Sequence, residues 1–178
     1  MQSHVTAKQL QFSVMETGHF NTMKIRFAQE KDIERINELL VQIGGIHHKA
    51  RPDIFNPATP KFNRDELLGI LDSANKFIFV AVDDNDVVQG HLFCHIRESD
   101  GQGVVAKIKT MWIEDLCVDE NIRSKGIGSQ LFEAVEKFAK EQQCDSITLN
   151  VWQFNEGAKA FYEKKGMFIQ RTTLEKNI

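Results

Sequence analysis

The stretch from Glu114 to Tyr162 constrains the fold more than any other part of the chain. An apolar strand ends at Val118 and a short loop carries Arg123-Ser124-Lys125-Gly126-Ile127-Gly128. A helix opens inside that run. The strand Ser146–Val151 and a helix starting near Asn155 complete a β-α-β-α unit. The first turn of a helix leaves backbone N–H groups unpaired, and the positive end of the helix dipole points the same way. Gly126 and Gly128 let a ligand approach the main chain, and Arg123 and Lys125 add full charges. Together these suit a phosphate or pyrophosphate. The plainer alternative is that the glycines only let the loop turn while the cations are solvated. No Gly-Lys-Ser/Thr follows, so this is not a P-loop, and the third glycine of a dinucleotide fingerprint is missing.

Two segments resemble the GNAT superfamily of N-acetyltransferases. Arg123-Ser124-Lys125-Gly126-Ile127-Gly128 is similar to the Arg/Gln-x-x-Gly-x-Gly/Ala run with which that family holds the pyrophosphate of coenzyme A. The commonest version has Gly where Ser124 stands. Asn155 to Gly166 is similar to the family's Asn-x-x-Ala-x-x-Phe/Leu-Tyr-x-x-x-Gly segment. Both in this order are far more specific than either alone. The resemblance runs from about Met23 to the end and is sharp from Glu114 onward.

That resemblance implies an α/β (α+β) fold: a mixed, mostly antiparallel central sheet flanked by helices, with a splay between the fourth and fifth strands. It implies acetyl-CoA as cosubstrate. The carrier would be held by the main chain of Leu116, Cys117 and Val118, by Arg123, Ser124, Lys125, Gly126, Ile127, Gly128 and Ser129, and by Asn155, Ala158 and Tyr162. The Glu-Asp-Leu-x-Val form of the fourth strand is similar to diamine and polyamine acetyltransferases, where the first acid serves as base through water. Glu114 is then the leading base and Asp115 the second choice. Tyr162 falls on the family's tyrosine, whose phenol can protonate the departing sulfur. From spacing alone, Tyr162 could equally be a packing residue and Glu114 a rim carboxylate. Dimers are common among similar proteins, so a homodimer is a further expectation.

Composition sets the frame. At 178 residues the chain can bury a sizeable core. A net charge of −3 gives no general affinity for nucleic acid. No apolar run approaches the length of a membrane span, and the first residues lack a secretory signal. Cys94, Cys117 and Cys144 have no CxxC spacing, which points to buried free thiols in a reducing, cytoplasmic setting. Residues 1–22 have no clear periodicity and read as an N-terminal extension, either a flexible tail or an extra element. Residues 23–178 read as a single acetyltransferase domain.

In chain order, Met23–Phe27 reads as a first strand. Asp32–Ile43 reads as a helix ended by Gly44-Gly45. An irregular stretch, Ile46–Pro57, follows. Asn63 and Glu66 have capping-box spacing before a second helix. Lys76–Val82 and Val87–Arg97 read as strands joined by a polar turn, and Lys107–Val118 as the long fourth strand. If that strand is regular, Ile108, Trp112, Glu114, Leu116 and Val118 share a face; a β-bulge would change this. The helix Gly126–Gln142 carries an apolar stripe, and Met167–Thr173 reads as a last strand. In proteins of the GNAT kind, the first two helices and their connection wall the acceptor site. His47, His48, Asp53 and Phe55 are thus candidates for contacting the acceptor, beside the alternative that the loop residues are merely solvated; Asp115 of the fourth strand is a further candidate for that contact. No metal is expected, because adjacent histidines seldom aim at one ion.

The expected reaction moves an acetyl group from acetyl-CoA to a primary amine, by direct attack in a ternary complex. The acceptor is expected to be a small cationic amine. Holding the reactants together supplies up to roughly 7–11 kcal/mol of the barrier in such reactions. Two competitors stand beside this reading. A protein or peptide N-acetyltransferase would need an open groove. A non-catalytic acyl-CoA sensor would keep Arg123–Gly128 without needing Glu114 and Tyr162.

Overall fold

The structure is a computed structural model that describes residues 23–178 apart from residue 58. The expected N-terminal extension, residues 1–22, lies outside the described residues. The elements are β1 (Lys24–Phe27), α1 (Ile33–Ala50), α2 (Arg64–Asp72), β2 (Lys76–Val82), β3 (Val88–Glu98), β4 (Lys109–Val118), α3 (Ile127–Glu141), β5 (Ser146–Thr148) and α4 (Glu156–Lys164). The strands form one sheet in the order β1-β2-β3-β4-β5. β1 to β4 are antiparallel and β5 runs parallel to β4. This is the mixed, mostly antiparallel sheet the sequence led us to expect.

Strict alternation on β2 explains why the sheet is buried on both faces. Phe77 and Phe79 face α3 and pack with Met111, Leu131 and Val135. Ile78 and Val80 face α1 and α2 and pack with Ile36, Leu40 and Leu67. The α2 capping box forms as its spacing predicts: the Asn63 side chain accepts from the Glu66 N–H at 2.9 Å, and the Asn63 N–H donates to Glu66 Oε2 at 2.7 Å.

Four expectations are corrected. α1 does not stop at Gly44-Gly45 but runs on to Ala50. A glycine lowers helix propensity by only about 1 kcal/mol, which tertiary packing overrides here. The stop is Arg51, the residue before Pro52, in a non-helical conformation with φ −139° and ψ 72°. His47 and His48 therefore sit on the last turn of a helix and not in a loop. Second, β4 is not regular. Ile113 pairs with Cys94 and Asp115 with Phe93, so Glu114 is an extra, bulged residue. The bulge breaks the expected single face: Met111 and Ile113 before it pack on the α3 side, and so do Leu116 and Val118 after it, which separates Trp112 from Leu116 and Val118. Third, no strand forms over 167–173. Phe168 and Ile169 face solvent, and a strand needs a neighbour to complete its ladder. β5 is likewise shorter than expected and ends at Thr148.

Candidate active site

The short β5 creates the opening. Its last pair with β4 is Trp112 with Thr148, yet β4 continues to Val118. Beyond Trp112 the two chains part. Backbone groups of β4 that point away from β3 there have no β5 partner, and a cavity of about 630 Å³ occupies the gap. Ile113, Glu114, Asp115 and Leu116 line one side; Leu149, Asn150, Val151 and Trp152 line the other. α1 contributes His47, α4 contributes Ala158 and Tyr162, and Asn155 lies just before α4. Its size falls in the range of small-molecule sites.

Glu114, Asp115 and Tyr162 thus share one cavity. The bulged Glu114 carboxylate is 32% exposed. Lys61 Nζ lies 2.9 Å from its Oε1, and His95 Nδ1 lies 3.8 Å from Oε2. Asp115 is only 10% exposed, and its Oδ1 lies 3.4 Å from Nε2 of His91, a residue sealed at 0% exposure. The other ring nitrogen of His91 has no protein partner. Tyr162 packs its ring against Phe161 and Phe132. Burial, with a smaller contribution from Asp115, pushes its phenol well above the ordinary tyrosine range. The hydroxyl therefore keeps its proton at neutral pH.

The remaining expected residues divide. His47 and Phe55 line the cavity, and burial holds the His47 pKa below its ordinary value despite the opposing pull of Asp115. His48 faces elsewhere and binds the Phe55 carbonyl through Nδ1 at 2.7 Å, which ties the chain after α1 back onto the helix. Asp53 is exposed and held by Arg51. Neither His48 nor Asp53 belongs to the cavity wall. Asn155 lines the cavity, but its side-chain oxygen accepts from the Ala158 N–H at 3.1 Å as the cap of α4.

Arg123–Ser129 lies next to the cavity and not in its wall. A Cβ on Gly128 would meet Leu116 and Phe161 at 3.7 and 3.8 Å, so the first turn of α3 abuts a residue that does line it. Gly126 caps α3 in the left-handed region with φ 77°, and no side chain caps the helix. Nothing stands within 4 Å of where its Cβ would be. The first N–H groups of α3 are open to a ligand, as a diphosphate requires. Arg123 Nε reaches the Val118 carbonyl at 3.4 Å, and Lys125 is exposed.

Cys94 and Cys117 are buried free thiols, and burial pushes the Cys117 thiol up to about 12. Neither is a nucleophile in waiting. No group of three or more metal-ligating side chains occurs among the described residues. No helix among them is long and apolar enough to cross a membrane.

Sequence reasoning missed Lys61, His91 and Trp152. Lys61 sits in a loop with no periodicity. His91 is one histidine on an apolar strand. Trp152 lies just past the expected end of β5, where the parting of the strands, which no local pattern records, turns it toward the cavity.

Comparison with known proteins agrees with this geometry. The profile described as "Acetyltransferase (GNAT) family" matches residues 25–167. An uncharacterized N-acetyltransferase of Lactobacillus delbrueckii subsp. lactis is 30% identical over 105 residues, or 59% of this chain and 59% of that protein. The chain thus matches less than two thirds of that relative's length. A mutant of the BH1408 protein of Bacillus halodurans superposes with a TM-score of 0.84 at 34% identity, covering 86% of this chain and 98% of that one. An aminoglycoside acetyltransferase from an uncultured soil metagenomic sample shares the fold, with a TM-score of 0.63 at 22% identity over 88% of this chain and 95% of that one. The chain belongs to the GNAT family of acetyltransferases.

Proposed function

We propose that this acetyltransferase moves the acetyl group of acetyl-CoA onto a small cationic primary amine, by direct attack in a ternary complex. The observation that carries the reading is the cavity between the parted β4 and β5. Two carboxylates and a protonated phenol line it, and uncapped helix N–H groups adjoin it.

The open N–H groups at the start of α3, with Arg123 and Lys125, would hold the pyrophosphate. The edge of β4 that β5 leaves free around Leu116, Cys117 and Val118 would take the pantetheine amides as a sheet takes an added strand, with the Val118 carbonyl released from Gln42 and Arg123 if it joins that ladder. The bound cosubstrate supplies an activated acetyl thioester. Glu114 accepts the amine's proton through water, after the incoming cation has displaced Lys61 from its carboxylate. Tyr162 donates its phenolic proton to the sulfur as the carbon–sulfur bond breaks. Two protons leave the nitrogen: the first passes through Glu114 to solvent, and the second, lost as the carbon–nitrogen bond forms, replaces the one Tyr162 gives to sulfur, so each cycle releases one proton.

Thiol release from acetyl-CoA, followed across a panel of amines with the acetylated product identified by mass spectrometry, tests the reading. Glu114→Gln and Asp115→Asn separate the two acids. Glu114→Gln is expected to lower turnover by about 10²–10⁴ and Asp115→Asn by less. The reverse order would move the base to Asp115. Tight acetyl-CoA binding with no acetylated product from any amine would favour a sensor.

A further inference from the structure

The cavity has a second kind of wall. His47, Phe55 and Trp152 line it, and their rings touch in series. His47 and Phe55 centroids are 5.0 Å apart, and Phe55 meets Trp152 edge-on at 5.3 Å. Phe154 backs this row, stacked on Trp152 at 6.0 Å and edge-on to His47 at 6.0 Å. The four rings come from α1, from the chain after it and from the segment after β5, so only the fold brings them together. They are not sealed like a core. Trp152 remains 39% exposed, and the neighbouring lining residue Ile54 is 46% exposed.

The row begins beside the carboxylates. His47 is close enough to Asp115 and Lys61 for both charges to act on its titration. The charge of the wall is small. Among its lining residues Glu114 and Asp115 are negative and Lys61 is positive, and burial favours the neutral form of His47. The wall thus carries one net negative charge, because Lys61 offsets one of the two carboxylates whether or not it stays on Glu114. That balance suits one ammonium group. A polyamine or an aminoglycoside would bring several charges, and hydroxyls in the second case, against aromatic faces with no further carboxylate to meet them.

We propose that the acceptor is an arylalkylamine: a single primary amine separated by a short alkyl chain from an aromatic ring, which lies on the Phe55–Trp152 wall. The inference rests on the acetyl-transfer reading and names the acceptor class for that same cavity. Ring-on-ring contact supplies the preference over a bare alkylamine of equal charge, and the single surplus charge supplies the preference over polycations.

The experiment uses the full chain with acetyl-CoA and compares phenethylamine, ethylamine, spermidine, kanamycin and a peptide with an N-terminal Phe. In parallel, intrinsic tryptophan fluorescence is titrated with phenethylamine alone, because both Trp112 and Trp152 line the cavity. The expected kcat/KM for phenethylamine exceeds that for ethylamine by about 10–100-fold and exceeds that for spermidine. Trp152→Ala is expected to shrink the phenethylamine-to-ethylamine ratio to within about three-fold, while Trp152→Phe, which keeps a ring, retains most of it. A leading rate for spermidine or kanamycin, equal rates for the two monoamines, or turnover of the peptide without phenethylamine would overturn the inference and leave acetyl transfer standing. Saturable quenching by phenethylamine with no thiol release from any amine would support the aryl site and remove the acetyl-transfer reading. No quenching and no release would remove both.

Discussion

The two halves of β4 differ in what surrounds them. From Lys109 to Ile113 the strand pairs with β3, and Thr110 to Trp112 also pair with β5. Met111 and Ile113 are sealed there, at 0% and 4% exposure. From Glu114 to Val118 it has β3 on one side only, it opens with a bulge, and Glu114, Asp115 and Leu116 line a cavity. One strand thus does two jobs. Its paired half closes the core under α3. Its parted half leaves backbone groups and carboxylates available to a ligand. Where the strand gives up a neighbour, it loses stabilising contacts and gains a reactive surface. Effects of substitution should therefore separate cleanly, with stability lost from the first half and chemistry lost around the second.

The largest effect is expected at the parted half. Tyr162→Phe keeps the ring packed against Phe132 and Phe161 and removes only the hydroxyl. Turnover should fall by about 10²–10⁴, with acetyl-CoA affinity little changed by calorimetry. The sign of the pH effect follows from the raised pKa: the phenol keeps its proton above the ordinary value of about 10. Wild-type kcat should then show no falling limb from this group between about pH 8 and 10. A variant as fast as wild type would take Tyr162 out of the chemistry. Met111→Ala probes the paired half. A buried methionine cut to alanine should cost about 2–5 kcal/mol in urea denaturation. Loss of turnover per folded molecule without loss of stability would contradict the division between the halves.

The sequence made most of this architecture readable, because its signals are local. The capping box at Asn63 and Glu66, the apolar stripe of α3 and the alternation of β2 each state a period or a hydrogen bond within a few residues. What stayed hidden depends on contacts between distant segments. Gly44-Gly45 looks like a helix end, but the stop is set by Arg51 before Pro52, and the packing of α1 on the sheet carries the helix past the glycines. The bulge at Glu114 is visible only in the register with Cys94 and Phe93. Lys61 and Trp152 enter the cavity because a loop and a parted strand fold toward the same gap. The motif residues were legible in sequence, while the partners of Glu114 and Asp115, Lys61 and His91, were not.

Smaller effects sharpen the same contrast away from the cavity. Asn63→Ala removes the cap of α2 and leaves the Glu66 N–H without its acceptor. The expected loss is about 1 kcal/mol of stability, with turnover retained. A loss of turnover larger than the loss of folded protein would show that α2 also shapes the acceptor cavity.

The smallest effect is expected at Ser124, in the loop that leaves the parted half of β4. Its φ is 68°, in the left-handed region where a Cβ is strained. A glycine would hold this backbone angle without strain. Ser124→Gly removes strain of about 1 kcal/mol but adds freedom to the unfolded chain, which offsets roughly 0.5–1 kcal/mol of that. The net change should be a gain of a few tenths of a kcal/mol, read as a small rise in the melting temperature. A clear loss of stability would mean that the Ser124 side chain is itself holding the loop. The strained angle would then be maintained by that contact and not merely tolerated beside an open helix end.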